Sequence, residues 1–168
     1  MVPVDGNCLN DEAREGLERA LKFIDYRPRS SGETTDRLRR CGYSGATIRV
    51  VIKYLEACGL LDDREFARVY LGEMLRKGYG YHRVRDELLK KRLNRELVDD
   101  MMEDYPIDEE IDRAVKIASR LSKRIVADDP SKLSRKMVGY MMRKGYSRQI
   151  AVEAYRLTHD VDTKIGRE

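Results

Sequence analysis

The chain has 168 residues, of which 38% are charged and 41% hydrophobic. This balance is too apolar for a wholly disordered chain and too polar for a membrane protein. No stretch approaches the roughly 18 uncharged residues of a membrane-spanning helix, and residues 1–10 lack the basic start and apolar run of a signal peptide. The three cysteines have no CxxC spacing, which argues against a disulfide framework and a structural zinc site. We therefore expect a reduced, cytoplasmic protein.

Apolar residues recur with the 3.6-residue period of an α-helix along the whole chain, and period-2 alternation is almost absent. In chain order the predicted helical stripes are Leu17, Ala20, Leu21 and Ile24; Thr34, Leu38 and Cys41; Ile48, Val51, Ile52 and Leu55; Phe66, Tyr70 and Met74 beside Ala67, Leu71 and Leu75; Val84 and Leu88; Val98, Met101, Met102 and Tyr105; Ile111, Ala114, Val115 and Ala118; Met137 and Met141; and Ile150, Ala151, Ala154 and Tyr155.

Residues that start helices separate these stripes. We expect N-caps at Ser30 or Ser31, at Ser44, at Asp62 or Asp63, at Asn94, and at Asp129 before Pro130.

One turn recurs between the second and third helix of each group of three. Cys41-Gly42-Tyr43-Ser44 returns as Lys144-Gly145-Tyr146-Ser147, and Lys91-Arg92-Leu93-Asn94 is a degenerate middle copy. The copies lie 50 and 53 positions apart, a period that is typical of stacked helical repeats. We predict an all-α fold, an elongated or curved tandem array of three helix-turn-helix-like, three-helix repeats. The predicted boundaries are 14–60, 61–106 and 107–159, between flexible tails at 1–13 and 160–168.

The net charge of +4 is unevenly distributed along the chain. Residues 14–95 hold 20 Lys or Arg and 12 Asp or Glu, and residues 113–168 hold 14 and six. Residues 96–112 hold nine acids and no base. Two basic blocks separated by an acidic one indicate contact with a polyanion or a patterned protein surface. Solvated helix faces would show the same pattern, so charge alone leaves both interpretations open.

Several short segments around the repeated turns form a recognisable series. They are Ala20-Leu21-Lys22-Phe23, Arg27-Pro28-Arg29-Ser30 and Leu38-Arg39-Arg40-Cys41-Gly42-Tyr43, then Gly59-Leu60-Leu61-Asp62-Asp63 with Phe66-Ala67 and Tyr70, and then Gly80, Arg83, Val84 and Glu87-Leu88. In this order and spacing they resemble the RecX family over about residues 17–158. One departure is Arg92, because family members usually have glycine in this turn, and it puts the local turn geometry in question.

This resemblance implies a non-enzymatic modulator of RecA. RecX-like proteins are all-helical arrays that lodge in the groove of the RecA–DNA filament. There they restrain its ATPase activity, its strand exchange and its stimulation of repressor self-cleavage. By resemblance we expect a monomer without cofactors that binds RecA and the RecA–DNA filament, and so modulates recombinational DNA repair and the SOS response.

The residues themselves offer no catalytic or metal-binding constellation. His82 and His159 lie 77 positions apart without further ligands at metal-binding spacing, and the Gly-Lys pair of a phosphate-binding loop does not occur. We expect His82 to be an exposed surface residue. Asp62-Asp63 precedes a helix, which favours capping over chelation. Cys41 and Cys58 lie on or beside apolar stripes, so we expect both to be buried.

Basic residues are the candidates for partner binding. Arginine predominates among them, which favours bidentate contacts with carboxylate or phosphate, and two tyrosines interleave with them around a Gly-rich break. Arg83 and Lys90, seven residues apart, lie within about 20° of one another on a helix, so we expect one exposed face to carry both. The candidates are Arg27, Arg29, Arg37, Arg40, Arg76, Lys77, Tyr79, Tyr81, Arg83, Arg85, Lys90 and Lys91.

Two other functions stay open at this point. The first is direct, sequence-independent DNA binding through weak phosphate contacts. The helix after Gly42-Tyr43 has the place of a recognition helix, but six of the ten residues at 46–55 are Ala, Ile, Val or Leu. Only Arg49 and Lys53 could meet base edges there, so we do not expect sequence-specific reading. The second is a helical-repeat scaffold for a protein other than RecA.

Overall fold

A computed structural model describes residues 9–125 and 129–165, with side chains up to His159. Within these residues the chain forms nine α-helices and no strand, which confirms the predicted all-α class. The helices are α1 (Asp11–Asp25), α2 (Ser31–Arg40), α3 (Gly45–Ala57), α4 (Asp63–Arg76), α5 (Tyr81–Lys90), α6 (Arg95–Glu103), α7 (Glu110–Ser122), α8 (Pro130–Arg143) and α9 (Arg148–Ile165).

Helices extend into both segments that we expected to be tails. α1 begins at Asp11 and buries Ala13, and α9 continues to Ile165. The rest of the predicted tails, residues 1–8 and 166–168, lies outside the described residues.

The helices belong to two compact units. The first comprises the described residues up to Tyr70 together with Leu88–Val98, and the second comprises Leu71–Glu87 with the described residues from Asp99 onward. The middle predicted repeat, 61–106, therefore contributes residues to both units.

The core of the first unit lies where α1, α2 and α3 pack against one another. α1 buries its small residues Ala13, Gly16 and Ala20, so that a Cβ built on Gly16 would lie 3.5 Å from Val51 Cγ2. The predicted stripe is confirmed for Ala20, which is buried, and for Leu17 and Ile24, which pack against the core, whereas Leu21 is 37% exposed. Small residues allow the backbones of two helices to approach, and their burial displaced the larger leucine from the core. The other buried members are Leu9, Leu38, Ile48, Leu55 and Leu61.

The core of the second unit is formed by α7, α8 and α9, which also pack against one another. α7 contributes Ala114 and Ala118, four residues apart on one helix face, as the predicted stripe requires. The other buried members are Met137, Val138, Met141, Tyr146, Ala151 and Ala154.

The burial expected for two cysteines is wrong. Cys58 is exposed and Cys41 is partly exposed. Each occupies the C-cap of its helix, α2 for Cys41 and α3 for Cys58. A C-cap residue lies at the rim of the helix, so an apolar stripe extrapolated to that position overestimates burial.

The predicted helix starts are confirmed, and the two ambiguous ones are resolved. Ser30 caps α2 through a capping box with Glu33, and Asp62 accepts the backbone N–H of Glu65 at 2.9 Å. Asp63 has a different role, because its carboxylate accepts the N–H of Ser31 at 2.7 Å. It therefore ties the start of α4 to the start of α2.

The repeated turn keeps one backbone geometry in all three copies. Its φ angle is 91° at Gly42, 61° at Arg92 and 94° at Gly145. These values lie in the left-handed region, which glycine adopts without a steric cost and other residues rarely adopt. Arg92 therefore preserves the turn geometry that its departure from the family pattern had put in question.

In the first unit the start of α2 contacts the turn that follows α5. The Ser30 hydroxyl donates to the Lys91 carbonyl, and a Cβ on Gly32 would overlap the Arg92 carbonyl. The second unit repeats this contact at the start of α5. There Gly80 N–H donates to the Lys144 carbonyl at 2.9 Å. In both units a helix start with a glycine close to the turn thus holds that turn in place. The start of α2 holds the middle turn, and the start of α5 holds the last turn.

Candidate partner-binding surface

Three of the predicted cations surround one carboxylate in the first unit. Glu33 Oε1 lies 2.9 Å from Arg27 Nη2, 3.6 Å from Arg29 Nη1 and 3.9 Å from Lys91 Nζ. The Arg29 guanidinium also stacks on the Phe23 ring, 4.0 Å from its centroid. Burial, followed by the charge of Arg27, lowers the pKa of Arg29. One carboxylate cannot neutralise three cations, so the cluster keeps excess positive charge.

Lys91 is held within the fold on two sides. Besides its contact with Glu33, its ammonium lies 5.0 Å from the centroid of the Tyr70 ring, and only 22% of its side chain is exposed. Because Lys91 is half-buried between a carboxylate and an aromatic ring, its contacts stabilise the fold. It is therefore a poorer candidate for partner binding than its charge suggests.

The outer face of α2 carries two of the predicted candidates as exposed cations. Arg37 and Arg40 are both exposed. Asp36 lies on the same helix and pairs with Arg39 at 2.9 Å and with Arg92 at 3.1 Å. Because this carboxylate also serves two cations, the α2 face has more positive than negative charge and is open to a partner.

A groove of about 440 Å³ runs along α1 beside this face. Tyr26 stands at its edge and is 84% exposed. The groove is lined by Glu15, Glu18, Arg19, Lys22, Phe23, Tyr26, Arg29 and Arg37. Two of the predicted candidates, Arg29 and Arg37, therefore lie in one concave surface with two aromatic rings.

In the second unit a tyrosine ring lies between two cations. The Tyr79 centroid is 4.2 Å from Lys144 Nζ and 5.7 Å from the guanidinium carbon of Arg83. Arg83 Nη2 also pairs with Glu87 at 3.0 Å. Arg83 is thus half-buried and makes contacts within the unit, whereas we expected it to share an exposed face with Lys90.

Four further candidates differ in exposure, namely Arg76, Lys77, Arg85 and Lys90. Arg85 pairs with Asp99 at 2.8 Å, and this hydrogen bond raises the pKa of Arg85. Arg76, Lys77 and Lys90 are exposed. Lys77 lies 3.7 Å from the acid one turn earlier, in a surface pair that constrains it little.

Tyr81 serves the fold. Its ring packs edge-on against Tyr105 with centroids 5.2 Å apart, and its backbone N–H donates to Glu110 Oε1 at 2.8 Å. The Tyr105 hydroxyl lies 3.3 Å from the same oxygen. Glu110 is 2% exposed, so this acid joins the start of α5 to the start of α7. We expect little of Tyr81 to be available to a partner.

Potential metal ligands do not cluster in the described ranges. No three His, Cys, Asp or Glu side chains of residues 9–125 and 129–159 are placed to hold a metal ion. His82 is exposed, as predicted. None of the helices in this part of the chain is both long enough and apolar enough to cross a membrane.

α3 follows the Gly42-Tyr43 turn, where a DNA-binding helix-turn-helix would have its recognition helix, and it belongs to the core. α3 buries Ile48, Val51 and Leu55, which confirms the interpretation of its apolar composition. Arg49 and Lys53 are its exposed cations. They provide a comparison for the more crowded cations of α2.

Three family models match the chain in order. They describe the first three-helix domain of RecX at residues 17–55, the second at 62–102 and the third at 108–154. The chain belongs to the RecX family. The tandem array of three three-helix repeats predicted from the sequence is thereby confirmed.

Relatives named "Regulatory protein RecX" align with most of this RecX-family chain. The one from Listeria innocua is 30% identical over 154 residues, which are 90% of this chain and 57% of the relative. The one from Bacillus licheniformis is 27% identical over 159 residues, 94% of this chain and 60% of the relative. The chain thus spans somewhat more than half the length of these curated relatives.

Solved RecX structures have the same fold. The crystal structure of RecX from Lactobacillus salivarius superposes with a TM-score of 0.78 at 23% identity, covering 90% of this chain and 99% of that one. A crystal structure of regulatory protein RecX superposes with a TM-score of 0.69 at 19% identity, covering 89% and 72%. At these identities the likeness supports the fold alone.

Sequence reasoning missed the aromatic and acidic members of the candidate surface. Phe23, Tyr26 and Glu33 were not among the predicted candidates, although Lys22, Arg27 and Arg29 lie beside the two aromatic residues in the sequence. Lys144 lies 65 positions from Tyr79, and nothing in the local pattern joins them. Only the recurrence of Gly-Tyr in both segments could have suggested that they meet.

Proposed function

We propose that this chain is a non-enzymatic regulator of RecA. It binds RecA and the RecA–DNA filament and restrains the filament's ATPase, strand-exchange and co-protease activities, and so modulates recombinational repair and the SOS response. The observation that carries the proposal is the match of all three RecX three-helix domains, in their order, between residues 17 and 154. It acts as a cytoplasmic monomer in this proposal.

The exposed face of α2 is the best-supported contact in the first unit. Arg37 and Arg40 project from it, whereas Arg29 and Lys91 are largely engaged in internal contacts. Arginine on an exposed helix face provides planar, bidentate donors for the carboxylates or phosphates of a filament. We therefore assign the partner contact to Arg37 and Arg40 before the other cations.

The direct test is a titration of RecA's DNA-dependent ATPase rate with the wild-type chain. We expect the rate to fall as the chain is added at physiological salt. Binding of single-stranded DNA is measured in parallel, with and without RecA. An unchanged ATPase rate would contradict the proposal. If DNA is bound equally well without RecA, a direct DNA-binding function replaces it, and if neither is bound, the chain is a scaffold for another protein.

A matched pair of variants tests the assigned surface. Arg37→Gln with Arg40→Gln removes two charges from α2, and Arg49→Gln with Lys53→Gln removes two from α3. All four side chains are exposed, so stability should change by no more than about 0.5 kcal/mol per substitution. We expect the α2 pair to weaken restraint of RecA about fivefold, which is ~1 kcal/mol, and the α3 pair to leave it unchanged.

Salt provides a second check on the same variants. Exposed charges are screened over about 10 Å at 0.1 M salt, so raising salt should weaken the wild type more than the α2 pair. If both pairs of variants behave alike, the α2 face is only a solvated surface. If the α3 pair alone loses activity, the contact lies on the helix that occupies the recognition position.

A further inference from the structure

The groove on α1 separates its charges along the helix axis. Glu15 and Glu18 lie toward the N-terminal end of the helix, and Lys22 and Tyr26 lie toward its C-terminal end. These positions recur at intervals of three and four residues and therefore share one helix face. Arg29 and Arg37 complete the cationic end. Arg19 also lines the acidic end and lies 3.7 Å from Glu15, so that Glu18 carries the remaining negative charge there. A single groove thus offers an acidic end and a basic end.

The basic end lacks a sufficient internal counter-charge. Lys22, Arg29 and Arg37 line it, and the carboxylate nearest to Arg29 is Glu33, which also serves Arg27 and Lys91. Lys22 and Arg37 are exposed, so an excess of cations at this end favours an anion supplied from outside.

Two aromatic rings at the basic end of the groove can contact a protein segment. Phe23 is stacked under Arg29, and Tyr26 is 84% exposed. Tyrosine and arginine are the residues that most often carry binding energy in protein–protein interfaces. A side chain of this size that projects into solvent beside a groove provides apolar area at a low cost in conformational entropy.

The acids at the opposite end distinguish between possible occupants. A nucleic acid strand carries one phosphate per nucleotide, and Glu15 and Glu18 would repel it along half of the groove. A protein segment can present a carboxylate to one end and a cation to the other. The centre of the acidic pair lies about 11 Å along α1 from the centre of Lys22 and Tyr26, at 1.5 Å per residue. An extended segment covers that distance in about three to four residues.

We propose that this groove binds an extended segment of the protein partner, with a carboxylate of the segment at Arg29 and Arg37 and a cation of the segment at the opposite end of the groove, beside Glu15 and Glu18. The inference rests on the proposed function, in which that partner is RecA. It adds the surface, the chemistry and the direction of the contact.

A photo-crosslinking amino acid at position 26 tests the occupant. p-Benzoylphenylalanine replaces Tyr26 in one variant and Val50 in the control, which is 45% exposed on α3. Each is irradiated with RecA filaments on single-stranded DNA. We expect a product with RecA protein from position 26 and little from position 50. A product with DNA, or none, would overturn the inference when the wild-type chain restrains the ATPase. If the wild type does not restrain it, the proposed function fails and this inference with it.

Charge reversal at the acidic end gives an independent readout. Glu18→Lys makes the groove more basic, and Glu56→Lys makes the same change on α3, where Glu56 is also exposed. A phosphate-bearing occupant would bind the first variant more tightly. The segment we propose would bind it several-fold more weakly, because its cation would meet a like charge. Equal or tighter binding of Glu18→Lys relative to Glu56→Lys would refute the proposal.

Discussion

The middle copy of the repeated turn uses arginine where the other two use glycine, and this predicts that position 92 tolerates glycine better than alanine. An L-residue in the left-handed region costs about 1–2 kcal/mol. Glycine removes that cost, but it also raises the conformational entropy of the unfolded chain by about 0.4–1 kcal/mol. Arg92 has φ 61°. We therefore expect the free energy of unfolding of Arg92→Gly to exceed that of Arg92→Ala by about 1 kcal/mol.

The comparison with alanine isolates the backbone contribution. Both variants lose the ion pair between Arg92 Nε and Asp36, which is 3.1 Å long with the arginine side chain 67% exposed. Such a surface pair contributes about 0–1 kcal/mol, and its loss cancels between the variants. The close approach of Gly32 to the Arg92 carbonyl also stays the same.

The other two turns calibrate the magnitude. A Cβ at Gly42 would meet no atom within 4 Å, whereas a Cβ at Gly145 would lie 2.9 Å from Arg83 Cα. Gly42→Ala should therefore cost about 1 kcal/mol through backbone conformation alone. Gly145→Ala should cost a further ~1–3 kcal/mol, because the backbone of α5 must move away.

The assay is guanidinium chloride unfolding followed by far-ultraviolet circular dichroism for all four variants and the wild type. The expected order of stability places Arg92→Gly above Arg92→Ala, and Gly42→Ala above Gly145→Ala. If alanine at position 92 matches glycine, then Arg92 bears no backbone cost and the left-handed geometry is not what the turn demands. If Gly42→Ala is as harmful as Gly145→Ala, steric contact does not explain the difference.

Two further predictions concern buried polar groups in the second unit. Glu110→Ala leaves the Tyr81 N–H without its acceptor and should cost about 2 kcal/mol of unfolding free energy. Glu109→Ala removes only an exposed acid that pairs with Arg113 at 3.2 Å and should cost about 0–1 kcal/mol. Equal losses in denaturant unfolding would contradict the role assigned to Glu110. Burial raises the pKa of Tyr146 to about 12 and raises that of Tyr105 as well, so the folded state keeps protons that the unfolded state releases above about pH 10. The free energy of unfolding, measured by urea unfolding, should therefore fall between pH 10 and 12 by about 1.4 kcal/mol per pH unit for each of these tyrosines. Tyr146→Phe should make this fall with pH less steep. If the slope is the same in the variant and the wild type, Tyr146 does not cause it.

Features that depend on neighbours in sequence could be predicted. The caps at Ser30, Ser44 and Asn94, and the turn at Gly42, are set by local hydrogen bonds and backbone conformation, so residue type at a fixed offset identifies them. The all-α class and the three repeats follow from helical periodicity and from the return of the turn. These signals do not depend on distant contacts.

Burial in the first helix could be predicted only in part, because packing between helices selects the buried residues. The stripe drawn through Leu17 and Leu21 gave weight to large side chains, whereas the interface with α3 requires small ones at Ala13 and Gly16. A hydrophobic pattern locates an apolar face to within about one residue of rotation. The identity of the neighbouring helix then decides which side of that face is buried.

The candidate surface could not be resolved from charge because arginine has two uses in this chain. Arg29 and Arg83 pair with acids inside their units, whereas Arg37 and Arg40 are exposed. Arg37 too lies over the Phe23 ring, 5.9 Å from its centroid. All four have the same residue type and lie in similar basic segments. Only burial, which tertiary packing sets, distinguishes structural cations from available ones.

The contacts that fix the helix starts show most clearly why an acid's role is hidden in the sequence. Ser31 N–H donates to Asp63, and Tyr81 N–H, at the equivalent first position of α5, donates to Glu110. From sequence, one acid was read as a helix cap and the other as part of an acidic block. α8 has Pro130 at this position, with Asp129 capping Ser131. Proline has no N–H, so α8 needs no such carboxylate. The acid is required only where the first helical residue has a donor to satisfy, and finding it demands knowing which helix starts meet.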